Sequence, residues 1–186
     1  MGKTAINGLP KTYYYYPLLV AVVGINTGKK KNLIPVVWHT ALSFAPPLYA
    51  VSISPKRFSF KLILEAQAFS INFLSYEYMD LVDKLGSVSG RDVDKFSEFN
   101  LKYFIGECCE APILEDAYLT LECELVDHLK TGDHTLFIGK VMKTYIEEKA
   151  FLKDSTLNTE RVNALLYLGN HIYITTDKAS RKSKKS

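Results

Sequence analysis

Cysteine is scarce in this chain of 186 residues, which contains only Cys108, Cys109 and Cys123. An odd count with two adjacent thiols, and no signal peptide ahead of them, argues against a disulfide framework and favours a reducing cytoplasm. No CxxC pair is present and the four histidines are scattered. The sequence therefore predicts no metal site.

The common nucleotide and hydrolase signatures are also missing. The stretch GINTGK, residues 24–29, is one residue too short for a phosphate loop, and Lys30 follows where Ser or Thr is required. There is no GxGxxG, GxSxG or HExxH. These absences exclude a classical dinucleotide-binding βαβ unit and leave a hydrolase without support.

Neither a long hydrophobic helix nor a strong charge of one sign is present. Residues 32–55 are uncharged, but Pro35, Pro46 and Pro47 interrupt them, so they predict strands and no membrane span. The net charge of +3 comes from the last nine residues, and without them 18 basic side chains face 20 acidic ones. A nearly neutral body predicts no nucleic-acid partner.

What the chain does contain is a globular composition, with 47% apolar residues, 12 Tyr and 10 Phe. A chain of this length supports one domain with a well-packed core. We expect residues 1–177 to form that domain. The basic segment 178–186 is expected to be a disordered tail.

Five stretches have the composition of β-strands. Residues 17–26 and 31–38 flank the turn sequence NTGKK and predict a hairpin, and residues 48–54 alternate large with small side chains. Residues 119–129 and 134–148 predict two longer strands joined by KTGD, in which glycine supplies the turn.

Helices are fewer and shorter. Residues 57–67 have the apolar spacing of an amphipathic helix and lead into a further strand over residues 68–75, while residues 78–85 predict a second short helix. Long antiparallel strands with few helices predict a mainly β fold with helical decoration, a barrel or a sandwich, and argue against a doubly wound parallel sheet.

The stretch GSVSGRDVDKF, residues 86–96, has two interpretations. One is a solvated loop that enters a helix ending near Phe99. The other is an anion site, because backbone N–H groups at a glycine turn and helix start would converge with the cations Arg91 and Lys95.

Several separated pieces of the chain together resemble a known family. Asn32 precedes Trp38 by six residues, and PPLYAVSIS, RFSF, SGRDVDKF and DHTLFIG around His134 follow in that order. In this arrangement the chain resembles the flavin reductase-like, FMN-binding split β-barrel family, and most closely its flavoredoxin branch. The resemblance runs from about Tyr16 to Tyr173.

This resemblance implies a homodimeric split β-barrel that binds one FMN per subunit non-covalently near the interface. It also implies electron transfer from NADH or NADPH to flavin, ferric or protein acceptors, in which hydride chemistry belongs to the cofactor. An alternative is a non-enzymatic carrier whose FMN passes electrons between redox partner proteins. A flavin-free binding protein is a third hypothesis.

The phosphate of FMN requires cations and hydrogen-bond donors. The resemblance predicts two walls around it, one contributed by residues of the GSVSGRDVDKF stretch and one by the loop after the third strand. The first wall comprises Ser89, Gly90, Arg91 and Lys95, and the second comprises Ser54, Lys56, Arg57 and Ser59.

The flavin ring requires a flat apolar surface and polar partners at its edge. The resemblance places Trp38 beside the ring with Asn32 on the same face of one strand. Pro35 stands where relatives commonly carry a hydroxyl residue and offers no N–H. Contacts there are expected from Val36, Val37, Thr40 and Ser52.

Two further residues complete the expected flavin site. His134 opens HTLFIG, where the resemblance places a residue near the isoalloxazine, contributed by the same or the neighbouring subunit, and it is the one candidate catalytic side chain. Tyr167 in LLYLG matches an aromatic position that covers the ring, and Tyr173 competes for the same role.

Overall fold

The computed structural model describes residues 2–8, 14–180 and 182. Within them the chain is mainly β with three short α-helices, which confirms the predicted fold class. The strands are β1 (Leu18–Leu19), β2 (Ala21–Asn26), β3 (Lys31–Val36), β4 (His39–Phe44), β5 (Pro47–Ile53), β6 (Ala68–Leu74), β7 (Tyr103–Ile105), β8 (Pro112–Leu114), β9 (Ala117–Thr131), β10 (His134–Ile146), β11 (Leu166–Gly169) and β12 (Ile172–Ile174). The helices are α1 (Phe58–Ala66), α2 (Met79–Ser87) and α3 (Lys95–Glu98), with 3₁₀ helices at Tyr76–Tyr78, Glu148–Ala150 and Lys178–Ser180.

Seven antiparallel strands form the main sheet, in the order β3-β2-β6-β9-β10-β5-β4. Its two edge strands, β3 and β4, follow each other in the chain with only Val37 and Trp38 between them. The sheet must therefore curl until its edges meet. The backbone N–H of Ser52 on β5 donates to the Trp38 carbonyl at 2.8 Å, which extends the β4–β5 pairing into this short connection. The result is a barrel with a split along one side.

Both predicted hairpins are confirmed. β2 pairs with β3 around the NTGKK turn, and β9 pairs with β10 around Gly132, whose φ of 76° is in the left-handed region that glycine favours. The predicted strand 31–38 ends early, at Val36. Pro35 is tolerated in β3 because this strand lies at a sheet edge, where its missing N–H breaks no ladder.

The helices cover the barrel at two places, and each buries its own apolar cluster. Leu62 and Ile63 of α1 pack onto Phe69 and Phe137 inside the barrel. Val82 and Leu85 of α2 pack with other side chains in a second cluster outside it. The cavities described below lie between these two helices and β3.

A second, smaller sheet has three strands in the order β1-β11-β12. β11 and β12 are joined by the two-residue turn of Asn170 and His171, whose φ angles are 51° and 60°. Two consecutive residues with positive φ are the signature of a hairpin turn that glycine or asparagine normally fills. This turn places the His171 side chain against Asp83 in the middle of α2.

The C-terminal segment is partly ordered. Lys178 to Ser180 form a 3₁₀ helix, and Lys178 pairs with Glu160 at 2.9 Å. The rest of the predicted tail lies outside the described residues, apart from Lys182. In the part of the chain that the structure describes, no helix combines the length and the apolar character needed to cross a bilayer.

Candidate functional site

Three cavities open side by side along β3, and Ile34 and Arg57 line all three. We call them the cationic cavity (about 250 Å³, between α1 and residues 85–95), the tryptophan cavity (about 200 Å³, around Trp38) and the hairpin cavity (about 570 Å³, beneath β11 and β12). Their shared wall makes them one continuous site with three parts.

The cationic cavity unites the two walls predicted for the phosphate. Its lining contains four basic side chains, those of Lys56, Arg57, Arg91 and Lys95, and no acidic one. Ser59, Ser89 and Gly90 also line it. Two segments, Lys56 to Ser59 and Ser89 to Lys95, thus meet around one volume suited to an anion.

The amino end of α1 is the helix terminus that faces this cavity. Its N-cap, Arg57, makes no side-chain capping bond, and no acidic residue occupies the first turn. The leading N–H groups of a helix carry a partial positive charge and bind anions. By contrast, α3 has only four residues and its N-cap Asp94 accepts from Phe96 N at 3.0 Å. The start of α3 is therefore capped by its own side chain, and α1 supplies the free helix terminus, while Arg91 and Lys95 of the predicted anion site line the same cavity.

Lys95 is buried with only 4% of its surface exposed. Its ammonium donates to the carbonyl oxygens of Leu33 at 2.8 Å and Leu85 at 2.6 Å, which leaves one N–H free. Burial, and secondarily the charge of Arg57, lowers the pKa of Lys95 to about 8. A negative ligand in the cavity would offset both effects.

The contacts of Asn32 and Gly90 indicate that the cavity fits a polar ligand. Asn32 Nδ2 donates to Ser59 Oγ at 2.8 Å, which leaves the Ser59 hydroxyl proton free to point elsewhere. The buried Asn32 Oδ1 has no hydrogen-bond partner among the described residues. A Cβ on Gly90 would lie 2.0 Å from this oxygen, so only glycine leaves the space open. A ligand hydroxyl would satisfy an acceptor that is otherwise costly to bury.

The tryptophan cavity holds the predicted ring contacts. Trp38 packs against His134 with 4.7 Å between ring centroids, and Val36, Val37, Ser52 and Ser54 complete the lining together with neighbouring residues. His134 also pairs with Asp133 at 2.8 Å between Nδ1 and Oδ1, a contact that lowers the pKa of Asp133. An imidazole and an indole thus share one face of this cavity.

The hairpin cavity contains both candidate covering tyrosines, Tyr167 and Tyr173, whose ring centroids are 5.1 Å apart. Asp83 of α2 accepts from His171 Nδ1 at 2.7 Å and from the Tyr173 hydroxyl at 3.0 Å. The His171 hydrogen bond is the main reason that the pKa of Asp83 is lowered, while burial and then Asp83 raise the pKa of Tyr173. The cluster shares the cavity with the apolar side chains of Val20, Val36 and Val82 and with Arg57.

Two details of the sequence prediction are wrong. Asn32 and Trp38 do not share a strand, because β3 ends at Val36, and they line different cavities. Thr40 lines none of the three cavities, and its hydroxyl donates to the Ala41 carbonyl on the exposed strand β4. The remaining predicted site residues line one cavity or more: Asn32, Val36, Val37, Trp38, Ser52, Ser54, Lys56, Arg57, Ser59, Ser89, Gly90, Arg91, Lys95, His134 and Tyr167.

Sequence reasoning missed Asp83 and His171. Asp83 sits within a helix of mixed polarity and carries no local signal. His171 had one available signal, the pair Asn170 and His171 between two short β-like stretches, which is typical of a tight hairpin turn. No group of three or more metal-ligating side chains occurs among the described residues.

Comparison with known proteins defines the class. The model of the flavin reductase like domain matches residues 13–175. An FMN-binding protein from Thermus thermophilus, solved with bound 1-cyclohex-2-enone, is 38% identical with a TM-score of 0.88, and the match covers 98% of this chain and 100% of that one. The flavoredoxin from Methanosarcina acetivorans is 26% identical with a TM-score of 0.84, covering 98% and 97%.

Sequence relatives agree. An uncharacterised protein of Aeropyrum pernix is 33% identical over 83% of this chain, which spans only 58% of that protein's length. The NADH-dependent FMN reductase AsuE2 of Streptomyces nodosus subsp. asukaensis is 30% identical over 72% of this chain and 71% of its own.

The curled sheet with its seam and three-part cavity is therefore that of a split-barrel protein, a class whose FMN-binding members support a flavin cofactor here. The chain belongs to the flavin reductase-like family.

Proposed function

We propose that the protein is an FMN-dependent oxidoreductase that passes electrons from NADH or NADPH to a flavin, ferric or protein acceptor. One observation carries the proposal: a cavity with four basic side chains and no acidic one opens directly onto two largely apolar cavities across Ile34 and Arg57. FMN has the matching form, a phosphate at one end and a flat ring at the other.

The phosphate of FMN would occupy the cationic cavity. Arg57 and the uncapped end of α1 approach it from one side, and Lys95 with its remaining N–H from the other. The Ser59 hydroxyl would donate to the phosphate, and Asn32 Oδ1 would accept from a ribityl hydroxyl. Each charge-assisted hydrogen bond contributes roughly 1.5 to 3 kcal/mol, so two or three contribute about 5 kcal/mol.

The ring would lie along Val36 and Val37, against Trp38 and His134, with Tyr167 covering it. Burying one ring face, on the order of 200 Å², contributes about 5 kcal/mol. Micromolar affinity requires about 8 kcal/mol before ordering costs are counted. Neither end of FMN suffices alone, so the phosphate and ring contacts must act together.

Bound FMN supplies the acceptance and release of electrons. The protein supplies position and environment. Val36 and Val37 would present backbone groups to the ring edge, Trp38 would exclude water from one face, and His134 would hold a hydrogen bond to the ring.

The relatives support an enzyme. AsuE2 is an NADH-dependent FMN reductase, and a flavin reductase of Pseudomonas putida is 30% identical over 72% of this chain. The flavoredoxin likeness favours a second candidate, a carrier whose FMN exchanges electrons with partner proteins. Reduction by a nicotinamide separates the two.

We also propose a homodimer. Large apolar side chains are exposed on β4, β9 and β10: Phe44 is 98% exposed, and Leu129 and Met142 are more than 40% exposed. Such side chains on extended strands are typical of a buried face between copies. Light scattering should give about twice the chain mass of 21.0 kDa, and a monomeric mass at micromolar concentration would contradict this part of the proposal.

The test of the phosphate end compares FMN with riboflavin, which lacks the phosphate. Flavin fluorescence titration of the flavin-free protein should show FMN binding at least about tenfold more tightly than riboflavin. In Arg57→Ala the affinities for the two flavins should become nearly equal. Lys61→Ala is the matched control, since Lys61 lies on α1 but lines no cavity. Equal affinities for the two flavins in the wild type would overturn the proposed site.

The same preparation tests the electron donor. Mixing the FMN-loaded protein with NADH or NADPH without oxygen should bleach the flavin absorbance within seconds. Sluggish bleaching by both nicotinamides would favour the carrier instead.

A further inference from the structure

His39 begins β4 directly after Trp38 and lines none of the three cavities. Its ring is half-buried beside two aromatic rings, with centroid distances of 5.9 Å to Tyr49 and 5.6 Å to Phe73. Both ring nitrogens have hydrogen-bond partners: Nδ1 lies 2.7 Å from the Tyr49 hydroxyl, and Nε2 lies 3.0 Å from the carbonyl oxygen of Leu19. These contacts give the imidazole one fixed orientation.

The two partners of His39 determine which nitrogen carries the proton. A carbonyl oxygen only accepts, so Nε2 must donate to Leu19. In the neutral ring Nδ1 is then an acceptor, and the Tyr49 hydroxyl donates to it. Burial lowers the pKa of His39, and this effect outweighs the Leu19 hydrogen bond, which raises it. The ring is therefore neutral at pH 7, with its proton on Nε2.

Leu19, the residue that accepts from His39, belongs to the short strand β1. This strand runs almost directly into β2 of the barrel, and it also pairs with β11 of the smaller sheet, where Leu18 is opposite Tyr167. His39 thus connects an edge strand of the barrel to the strand that lies beside Tyr167.

The pairing of β1 with β11 is too short to hold the smaller sheet by itself. It consists of two residue pairs, and a pair of short strands is at best marginally stable alone. At its far end the β11–β12 hairpin is held to α2 by Asp83. The hydrogen bond from His39 to Leu19 holds the near end, and this end carries Tyr167, on the side of the site opposite Trp38.

We propose that His39 is a positioning residue of the flavin site: by holding β1 against β4, it sets the position of Tyr167 relative to Trp38. His39 contacts no ligand and acts only through the strand that it holds. The flavin measurements below rest on the proposed function, whereas the hydrogen bond itself is tested without flavin.

Amide hydrogen exchange of the flavin-free protein tests the hydrogen bond alone. In His39→Leu the donor to Leu19 is lost, so amides of β1 and β11 should exchange about threefold to tenfold faster, the range of one neutral hydrogen bond, and this increase should exceed that of β9 in the barrel. His39→Gln keeps a side-chain N–H donor and should restore exchange close to the wild-type rate. Wild-type exchange of β1 and β11 in His39→Leu would overturn the proposal.

The proton position has a direct signature in the wild type. The ¹⁵N chemical shifts of the His39 ring near pH 7 should show a protonated Nε2 and a bare Nδ1. A neutral ring with its proton on Nδ1 could not donate to Leu19 and would refute the assignment.

A double-mutant cycle with riboflavin tests whether His39 acts through Tyr167. His39→Leu and Tyr167→Leu should each weaken riboflavin binding several-fold, and the double variant should bind about as tightly as Tyr167→Leu alone, because Tyr167 is the contact that His39 positions. Losses that multiply in the double variant would show that the two residues act independently and would defeat the positioning role.

Ile71→Val is the control for general loss of stability. Ile71 is fully buried in the barrel and lines no cavity, so this variant should lower the melting temperature but leave riboflavin affinity unchanged. A loss of affinity equal to that in His39→Leu would trace the effect to stability and contradict the proposal. Faster exchange of β1 and β11 in His39→Leu without any flavin binding in the wild type defeats only the proposed function, and flavin binding with unchanged exchange defeats only this inference.

Discussion

The cationic cavity and the hairpin cavity share Ile34 and Arg57 but differ in chemistry. The lining of the first has four basic side chains and no acid, whereas the second has Arg57 and His171 around one carboxylate, Asp83. The first is suited to recognise charge, and the second to recognise shape and one hydrogen bond. A ligand that spans both has only one favourable orientation, with its anionic end beneath Gly90.

The difference also concerns how each cavity is held together. The cationic cavity depends on buried groups, because Asn32, Ser59 and Lys95 are each less than 5% exposed. The hairpin cavity depends on a surface turn whose His171 is mostly exposed. Substitutions should therefore affect the stability of the first and the ligand selectivity of the second.

The largest expected effect comes from Gly90→Ala. A methyl group 2.0 Å from Asn32 Oδ1 forces Asn32 or the loop to move, so we expect a loss of about 1 to 3 kcal/mol in unfolding free energy and at least about tenfold weaker FMN binding. Thermal unfolding and flavin titration measure the two effects.

Gly86→Ala is the matched stability control for this substitution. Gly86 lies in α2, and the nearest atom to its Cβ would be Pro35 Cγ at an ordinary 3.8 Å. Alanine also favours a helix over glycine by roughly 0.5 to 1 kcal/mol. This variant should melt at or above the wild-type temperature. Equal destabilisation by both substitutions would mean that Gly90 has no special role in the cationic cavity.

A pH titration gives the next effect in size. Phosphate binding favours the charged ammonium of Lys95, whose pKa is lowered to about 8 in the free protein, so FMN affinity should be highest near pH 7 and fall above about pH 8. The ratio of FMN to riboflavin affinity should drop about tenfold between pH 7 and 9.5, a range in which the phosphate stays doubly ionised. Riboflavin is the internal control, and a constant ratio would remove Lys95 from the phosphate contacts.

The smallest effect concerns the hairpin cavity. Tyr167→Leu should weaken FMN and riboflavin equally, by about fivefold, because an aromatic contact contributes roughly 0.5 to 1.5 kcal/mol beyond its area. Tyr14→Leu, at a tyrosine that is 72% exposed and lines no cavity, should change neither affinity. If Tyr167→Leu changed the ratio of FMN affinity to riboflavin affinity, the hairpin cavity would contribute to phosphate recognition, which contradicts the division of roles between the two cavities.

The sequence predicted the strands well because their signals are local. Alternation and the turns around residues 26–31 and at Gly132 fix β2, β3, β9 and β10 within a few residues. The end of β3 at Val36 and the separate strand β4 were not predicted, because nothing in the composition of residues 31–44 shows where one strand ends and the next begins. Only the closure of the barrel decides that question.

The candidate site was partly predictable for a different reason. Family motifs indicated Arg57, Lys95 and Trp38, but not which cavity each lines, since that depends on the path of the chain at Val37. The pairing of Asp83 with His171 joins residues 88 positions apart and leaves no local trace. Long-range polar contacts of this kind are specified by topology.

The seam at Val37 and Trp38 has a mechanical consequence. Because these two residues both close the barrel and line the tryptophan cavity, they cannot yield to a ligand without parting the sheet edges. We therefore expect this wall of the site to stay fixed when ligands bind. Any adjustment to ligands of different size would come from the opposite wall, the short hairpin of β11 and β12.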